Sequence, residues 1–155
     1  METNNTHFLY PAAIHISKPP CIINTILGSC ISVCLYDKIN KYGGMNHFML
    51  PLWNGQGLAS PKYGNIAIEK LLEKVLNMGG QKSNLIAKVF GGGEVIDTKH
   101  AQFNIGHRNI EIAINMLEEL RIPVHGQSVG GKLGRKISFN TMTGAVTQKY
   151  IQRQF

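Results

Sequence analysis

The chain has 155 residues, of which 43% are hydrophobic and 16% charged, with a net charge of +7. These values predict one globular domain over residues 1–155, and the lack of a run of about 18 apolar residues excludes a transmembrane helix. The basic residues are scattered and the three cysteines have no framework spacing, so we expect a reduced cytoplasmic protein without a nucleic-acid partner, a signal peptide or membrane insertion.

The first half of the chain predicts short strands joined by glycine turns. Residues 1–9 are polar, and we expect them to be frayed. Ala12 to Ser17 alternates weakly and predicts a first strand. Ile22 to Leu27 is apolar and β-branched and leads into a Gly28-Ser29 turn. Ile31 to Tyr36 then predicts a buried strand, because apolar residues lie on both of its faces.

A turn and a second strand follow. Asp37 to Gly44 contains Asn40 and paired glycines, which indicate a turn region. Met45 to Leu50 predicts a strand that stops at Pro51. Trp53 to Ser60 then predicts a flexible loop, whose length and glycines suit either a partner contact or an ordinary surface loop.

Two helices are predicted in the second half. The first spans Pro61 to Met78, with Ser60 as its N-cap. The second spans Ile105 to Leu120, with Asn104 as its cap. Its predicted buried face comprises Ile105, Ile110, Ile114 and Leu117.

Strands account for most of the remaining sequence. Leu85 to Phe90 predicts a strand between the two helices, and the following Gly91–Gly93 predicts a tight turn. The C-terminal third predicts strands over Pro123–Val129, Lys136–Asn140 and Ala145–Ile151. This order of elements predicts an α/β or α+β fold, in which two main helices cover a mixed β-sheet sandwich.

Cys30 and His47 are the candidate chemical pair. Cys30 opens the first buried strand and His47 lies in the second, so a thiol and a base come from neighbouring strands. The backbone N–H groups of Ser29 and Cys30 could form an oxyanion hole. A loop centred between Lys38 and Ile39 would place Cys30 and His47 directly opposite each other, whereas a longer loop would place His47 opposite a later residue.

Two alternatives remain at this point. Cys30 at a strand start is also consistent with an inert buried cysteine. A zinc site formed by Cys30, Cys34 and His47 is disfavoured, because a Cys-x3-Cys strand does not readily give tetrahedral geometry.

Ordered blocks of sequence resemble the CheD family of chemoreceptor glutamine deamidases. The blocks are Thr25, Leu27–Cys30, Tyr36-Asp37, His47–Pro51, Lys88–Gly92, Ile105–Asn109, Val129–Gly131, Gly134–Lys136 and Thr143-Gly144. Together they extend over about 125 residues and are more specific than any one motif.

The resemblance implies roles for individual residues. Cys30 corresponds to the family's nucleophile, His47 to its base, and Thr25 to an assisting threonine. Many members have an acidic residue where this chain has Ser128. The implied fold is the α/β sandwich of bacterial deamidating toxins.

The resemblance also implies the reaction and its partners. The expected enzyme hydrolyses glutamine amides on methyl-accepting chemoreceptors, without a metal or organic cofactor, and some members also hydrolyse glutamyl methyl esters. A CheC-type phosphatase is an implied partner, and a non-catalytic chemotaxis adaptor is the alternative function. We expect Trp53, in the loop after the His47 strand, either to contact the receptor or to pack on the core.

Overall fold

The computed structural model of this protein describes residues 5–94 and 104–152. Two helices and nine strands are present in these ranges. In chain order they are β1 (Thr6–Phe8), β2 (Ile14–Ser17), β3 (Ile22–Leu27), β4 (Ile31–Asp37), β5 (Tyr42–Asn46), α1 (Gly64–Asn77), β6 (Leu85–Gly91), α2 (Ile105–Glu119), β7 (Val124–Val129), β8 (Gly134–Asn140) and β9 (Val146–Ile151), with a short 3-10 helix at Lys82–Asn84.

The strands form two mixed sheets. The four-stranded sheet has the order β1-β3-β8-β9, and the five-stranded sheet has the order β2-β5-β4-β6-β7. The pairs β1–β3 and β6–β7 are parallel, and the others are antiparallel. One apolar cluster joins the two sheets, and a second joins the five-stranded sheet to both helices. The molecule therefore has three layers: helices, five-stranded sheet and four-stranded sheet.

β4 lies at the centre of this arrangement and is buried along its whole length. Its side chains alternate between the two faces of the sheet. Ile31, Val33 and Leu35 pack in the cluster beneath the helices. Cys34 and Tyr36 pack between the sheets. This burial on both faces explains the continuous apolar run from which the strand was predicted.

The predicted fold class is confirmed, since two main helices accompany a mixed-sheet sandwich. Neither helix in the described ranges is long and apolar enough to cross a membrane.

The predicted boundaries around β5 are wrong. The strand spans Tyr42–Asn46 rather than Met45–Leu50, so Gly43 and Gly44 lie within it and His47 lies just after it. A Cβ atom on Gly43 would lie 2.2 Å from the Leu35 carbonyl oxygen, and one on Gly44 would lie 2.5 Å from a side-chain carbon of Ile16. These glycines therefore permit a close approach between strands and do not form a turn.

The N-terminal prediction is also partly wrong. Residues 6–8 form β1, because their backbone pairs with β3. Residues 1–4 lie outside the described residues.

The first helix begins at Gly64 rather than at Pro61, because Ser60 accepts a backbone hydrogen bond from Tyr63 in a turn that precedes the helix.

α2 begins after Asn104, as predicted, although the Asn104 side chain makes no capping hydrogen bond. Its fully buried residues differ from the predicted isoleucines. They are Gly106, Asn109, Ala113 and Leu117, a stripe of mostly small side chains at helical spacing. Ile110 and Ile114 are only partly buried. Small residues on this stripe bring α2 close to the sheet.

Candidate active site

The turn between β3 and β4 contains Gly28, Ser29 and Cys30. The carbonyl of Gly28 accepts a hydrogen bond from Gly93 N–H at 3.0 Å, and that of Cys30 accepts one from Gly92 N–H at 2.8 Å. The glycines after β6 therefore hold the turn from one side. The prediction of a tight turn at Gly91–Gly93 is wrong for Gly91, which is the last residue of β6.

Asn109 holds the remaining carbonyl of the turn. Its side-chain Nδ2 donates to the carbonyl oxygen of Ser29 at 2.9 Å and to that of Met49 at 3.1 Å. Ser29 precedes Cys30, and Met49 follows His47 by two residues. One buried amide from α2 thus connects the two chain segments that carry the candidate pair.

The backbone N–H groups of Ser29 and Cys30 remain available. In the described ranges, neither donates to an acceptor outside its own residue. Both residues are partly exposed. Two donors beside a thiol, neither with an acceptor outside its own residue, are suited to bind a developing oxyanion.

The register of β4 against β5 determines which residues lie opposite Cys30 and His47. The strands pair through Cys34 and Met45, and the same register extends to the isolated bridge between Ile31 and Phe48. The connecting turn spans residues 38–41. The longer-loop alternative is therefore the one found.

In this register His47 is opposite Ser32 and diagonal to Cys30. Diagonal neighbours on one face have Cα atoms about 7–8 Å apart, within reach of longer side chains. Alternation along the strands places both side chains between the two sheets, where Cys30 contacts the inter-sheet cluster. Val33 N–H donates to Asn46 Oδ1 at 2.8 Å, so a side chain replaces a backbone acceptor just before His47.

Thr25 is hydrogen-bonded to His47. Thr25 Oγ1 lies 2.8 Å from His47 Nδ1 and 2.7 Å from the carbonyl oxygen of Leu9. A carbonyl can only accept, so the single hydroxyl proton of Thr25 is donated to Leu9. His47 Nδ1 must then carry a proton and donate it to Thr25. This fixes the imidazole tautomer and leaves Nε2 with the lone pair of a base.

Burial keeps both groups of the candidate pair neutral. It lowers the pKa of His47 to about 4, and His47 is 3% exposed. Burial also raises the pKa of Cys30, although its own backbone N–H opposes the effect. At neutral pH the resting site therefore contains a thiol and a neutral imidazole rather than a thiolate–imidazolium pair.

The other two cysteines are buried structural residues. Cys21 is 0% exposed and Cys34 is 1% exposed. No three His, Cys, Asp or Glu side chains in residues 5–94 and 104–152 are grouped so that they could hold a metal ion.

Trp53 lies in the loop after the β5 segment and is partly exposed. Its indole N–H donates to the carbonyl of Gln56 at 3.0 Å, and its backbone N–H donates to Asn65 Oδ1 at 3.0 Å. Trp53 therefore organises its own loop and joins it to α1. It is absent from both apolar clusters.

Ser128 lies beside a buried arginine. Arg135 is 1% exposed and donates to the backbone carbonyls of Ser128 and Gly130, and to Ser128 Oγ at 3.3 Å. Burial lowers the pKa of Arg135. Two carbonyl oxygens and a hydroxyl oxygen are thus the acceptors for the buried guanidinium group.

The contacts made by Leu9 and Asn109 were missed by sequence reasoning. The Leu9 carbonyl leaves no sequence signal, because it acts through the backbone. Asn109 does leave one, since it is the polar member of the stripe formed by Gly106, Ala113 and Leu117. A polar residue on a buried helix face requires hydrogen-bond partners.

Comparison with known proteins gives a family match. A family model described as "CheD chemotactic sensory transduction" matches residues 49–150. This range is more than half of the chain and begins just after His47.

Relatives match nearly the whole chain. A protein of Trichlorobacter lovleyi is 57% identical over 140 residues, covering 90% of this chain and 87% of the relative. One of Sulfurimonas denitrificans is 45% identical over 148 residues, covering 94% of each chain. One of Anaeromyxobacter dehalogenans is 41% identical over 138 residues, covering 89% of this chain and 80% of the relative. All three are named as probable chemoreceptor glutamine deamidases of the CheD type.

Cysteine labelling tests the description of the thiols. In the folded protein we expect iodoacetamide to modify Cys30 first, while Cys21 and Cys34 react only after unfolding. Because burial raises the pKa of Cys30, its labelling rate should still be rising above pH 9, the ordinary value for a thiol. Peptide mass spectrometry gives the three rates, with urea-unfolded protein as the control. A plateau reached by neutral pH would show a resting thiolate and contradict this description.

Proposed function

Because the chain belongs to the CheD family, we propose that it is a protein-glutamine deamidase that acts on methyl-accepting chemoreceptors in the cytoplasm. The names of the relatives support the reaction and the substrate. The observation that carries the proposal is the hydrogen bond from His47 to Thr25, beside the strand that begins after Cys30. It leaves a correctly protonated base on the same face as the only partly exposed cysteine of the described residues.

The first half of the reaction transfers the acyl group to Cys30. The sulfur attacks the carbonyl carbon of a glutamine side chain while His47 Nε2 takes the thiol proton. The N–H groups of Ser29 and Cys30 bind the resulting oxyanion. As the carbon–nitrogen bond breaks, His47 returns the proton to the nitrogen, and ammonia leaves. The product is a thioester between Cys30 and the substrate.

The second half hydrolyses the thioester. His47 Nε2 takes a proton from water, and the oxygen attacks the thioester carbon. The carbon–sulfur bond then breaks, the sulfur recovers its proton from His47, and glutamate is released. A glutamyl methyl ester could follow the same route with methanol as the leaving group.

The surface after His47 suits a helical substrate. Met49, Leu52 and Leu58 are 36%, 56% and 83% exposed, respectively. Exposed apolar side chains next to a site are typical of a protein-binding surface. We assign this surface, with Trp53, to the receptor.

Substitution of the pair tests the proposed function. Cys30→Ala should abolish conversion of glutamine to glutamate on a receptor cytoplasmic fragment, and His47→Ala should lower the rate about 10²-fold or more. Peptide mass spectrometry detects each conversion as about one mass unit. Cys21→Ala is the matched control and should remain active. Normal conversion by folded Cys30→Ala would exclude this thiol as the nucleophile.

Thr25 tests the assigned tautomer of His47. Thr25→Val keeps the shape but removes the acceptor for Nδ1–H, so we expect kcat to fall about 10-fold, less than for His47→Ala. Thr25→Ser keeps the hydroxyl and should retain most of the activity.

The pH profile of wild-type activity also tests the assigned state of His47. Since the neutral form of His47 is the base and its pKa is about 4, kcat/KM should stay high as pH falls through 6 and decline only toward 4. A decline centred near 6.5 in the wild type, or a fully active Thr25→Val, would contradict the assignment.

Trp53 tests the receptor surface. Trp53→Ala should raise KM for the receptor fragment more than it lowers kcat, because it removes binding shared by the ground and transition states. Trp53→Phe is the control, since it keeps an aromatic ring. A large fall in melting temperature with unchanged KM would show instead that Trp53 only supports the loop.

A further inference from the structure

Asn109 connects α2 to the turn that carries the thiol. It is 0% exposed, and its Nδ2 group donates both of its protons, to the carbonyls of Ser29 and Met49. Carbonyl oxygens accept only, so these two contacts determine which end of the amide faces the turn. Asn109 Oδ1 has no donor in the described part of the chain. The side chain is therefore kept in a buried position although one of its atoms is left unpaired.

The contact with Ser29 determines where Cys30 N–H points. The described residues contain no cis peptide bond, and across a trans peptide the carbonyl and the next N–H point in opposite directions. Because Asn109 draws the Ser29 carbonyl toward α2, Cys30 N–H is directed away from α2. This N–H is one of the two that have no acceptor outside their own residue.

The Ser29 carbonyl is the one carbonyl of the turn that a side chain holds. The carbonyls of Gly28 and Cys30 accept hydrogen bonds from the backbone N–H groups of Gly93 and Gly92, respectively. Substitution at position 109 can therefore release the Ser29–Cys30 peptide while the two backbone contacts remain.

Because α2 packs closely against the turn, the short side chain of Asn109 reaches the Ser29 carbonyl. A Cβ atom on Gly106 would lie 2.5 Å from the carbonyl oxygen of Gly92, so only glycine allows the helix to approach this closely. Asn109 lies one turn further along the same face, where its Nδ2, three bonds from the helix Cα, reaches the turn. A longer amide would not fit at this separation without displacing the helix.

We propose that Asn109 is a positioning residue for the oxyanion site, acting through the Ser29 carbonyl to aim Cys30 N–H at the substrate. The proposal rests on the proposed function and extends it to a residue outside the Cys30–His47–Thr25 set. It predicts that loss of the Asn109 amide damages oxyanion binding more than the nucleophilicity of the thiol.

Two kinds of reaction at Cys30 separate these effects, one that forms an oxyanion and one that does not. Alkylation by iodoacetamide is displacement at a saturated carbon and forms no oxyanion. Acylation by p-nitrophenyl acetate and deamidation of the receptor fragment both pass through one. Asn109→Leu should lower the acylation rate and the kcat for deamidation by about 10²-fold, with KM and the alkylation rate changed by less than about threefold.

Matched variants control for damage to the helix. Asn115 is exposed on α2, so Asn115→Leu makes the same chemical change away from the site and should leave all three rates unchanged. Asn109→Ser adds no apolar bulk and its hydroxyl lies one bond short of the native Nδ2, so it should lower the same rates. If Asn109→Leu does not fold, as judged by thermal melting, the comparison rests on Asn109→Ser against the wild type, with the same direction expected.

Each other outcome overturns the proposal. A parallel fall in alkylation and acylation would show that Asn109 aligns the thiol and the imidazole rather than the oxyanion donors. Unchanged acylation in a folded variant would show that the contact is only structural. Failure of the proposed function is seen separately, because the wild type would then acylate normally but convert no receptor glutamine.

Discussion

The hydroxyl group of Thr25 has one proton, and the Leu9 carbonyl accepts it. His47 must therefore present Nδ1–H to the same oxygen, and its Nε2 is left as the base. The proposed chemistry at Cys30 depends on this constraint, because an imidazole with the opposite tautomer would offer a donor where that chemistry requires a proton acceptor. The three-layer fold supplies the contact, since Thr25 lies in β3 of one sheet and His47 directly follows β5 of the sheet packed against it.

Burial of Cys30 and His47 is a second constraint on the site. It disfavours the charged forms of both Cys30 and His47, so charge arises only when substrate is present and the proton moves. The proposed mechanism is therefore general-base catalysis with a neutral resting site. Such a site protects the thiol from reagents that require a thiolate. In this mechanism the proposed donors to the transient negative charge are the backbone N–H groups of Ser29 and Cys30. Their directions depend on the groups that bind the neighbouring carbonyls.

Local features of the site could be predicted from the sequence, and its long-range features could not. The Gly28-Ser29 turn and the buried strand after Cys30 follow from neighbouring residues. The contact of Thr25 with Leu9 joins residues 16 apart through a backbone group, which has no residue-specific signal. Gly43 was misassigned to a turn because glycine serves both turns and close packing, and only the position of the Leu35 carbonyl distinguishes the two uses.

The contact between Asn109 and Ser29 joins residues that are 80 positions apart. The ribosome therefore adds Cys30 and His47 long before it adds Asn109, whose side chain binds the Ser29 carbonyl. A nascent chain that stops short of α2 has the reactive groups but no support for the Ser29 carbonyl. The Ser29 carbonyl therefore gains its support only after α2 has been synthesised and has packed against the turn.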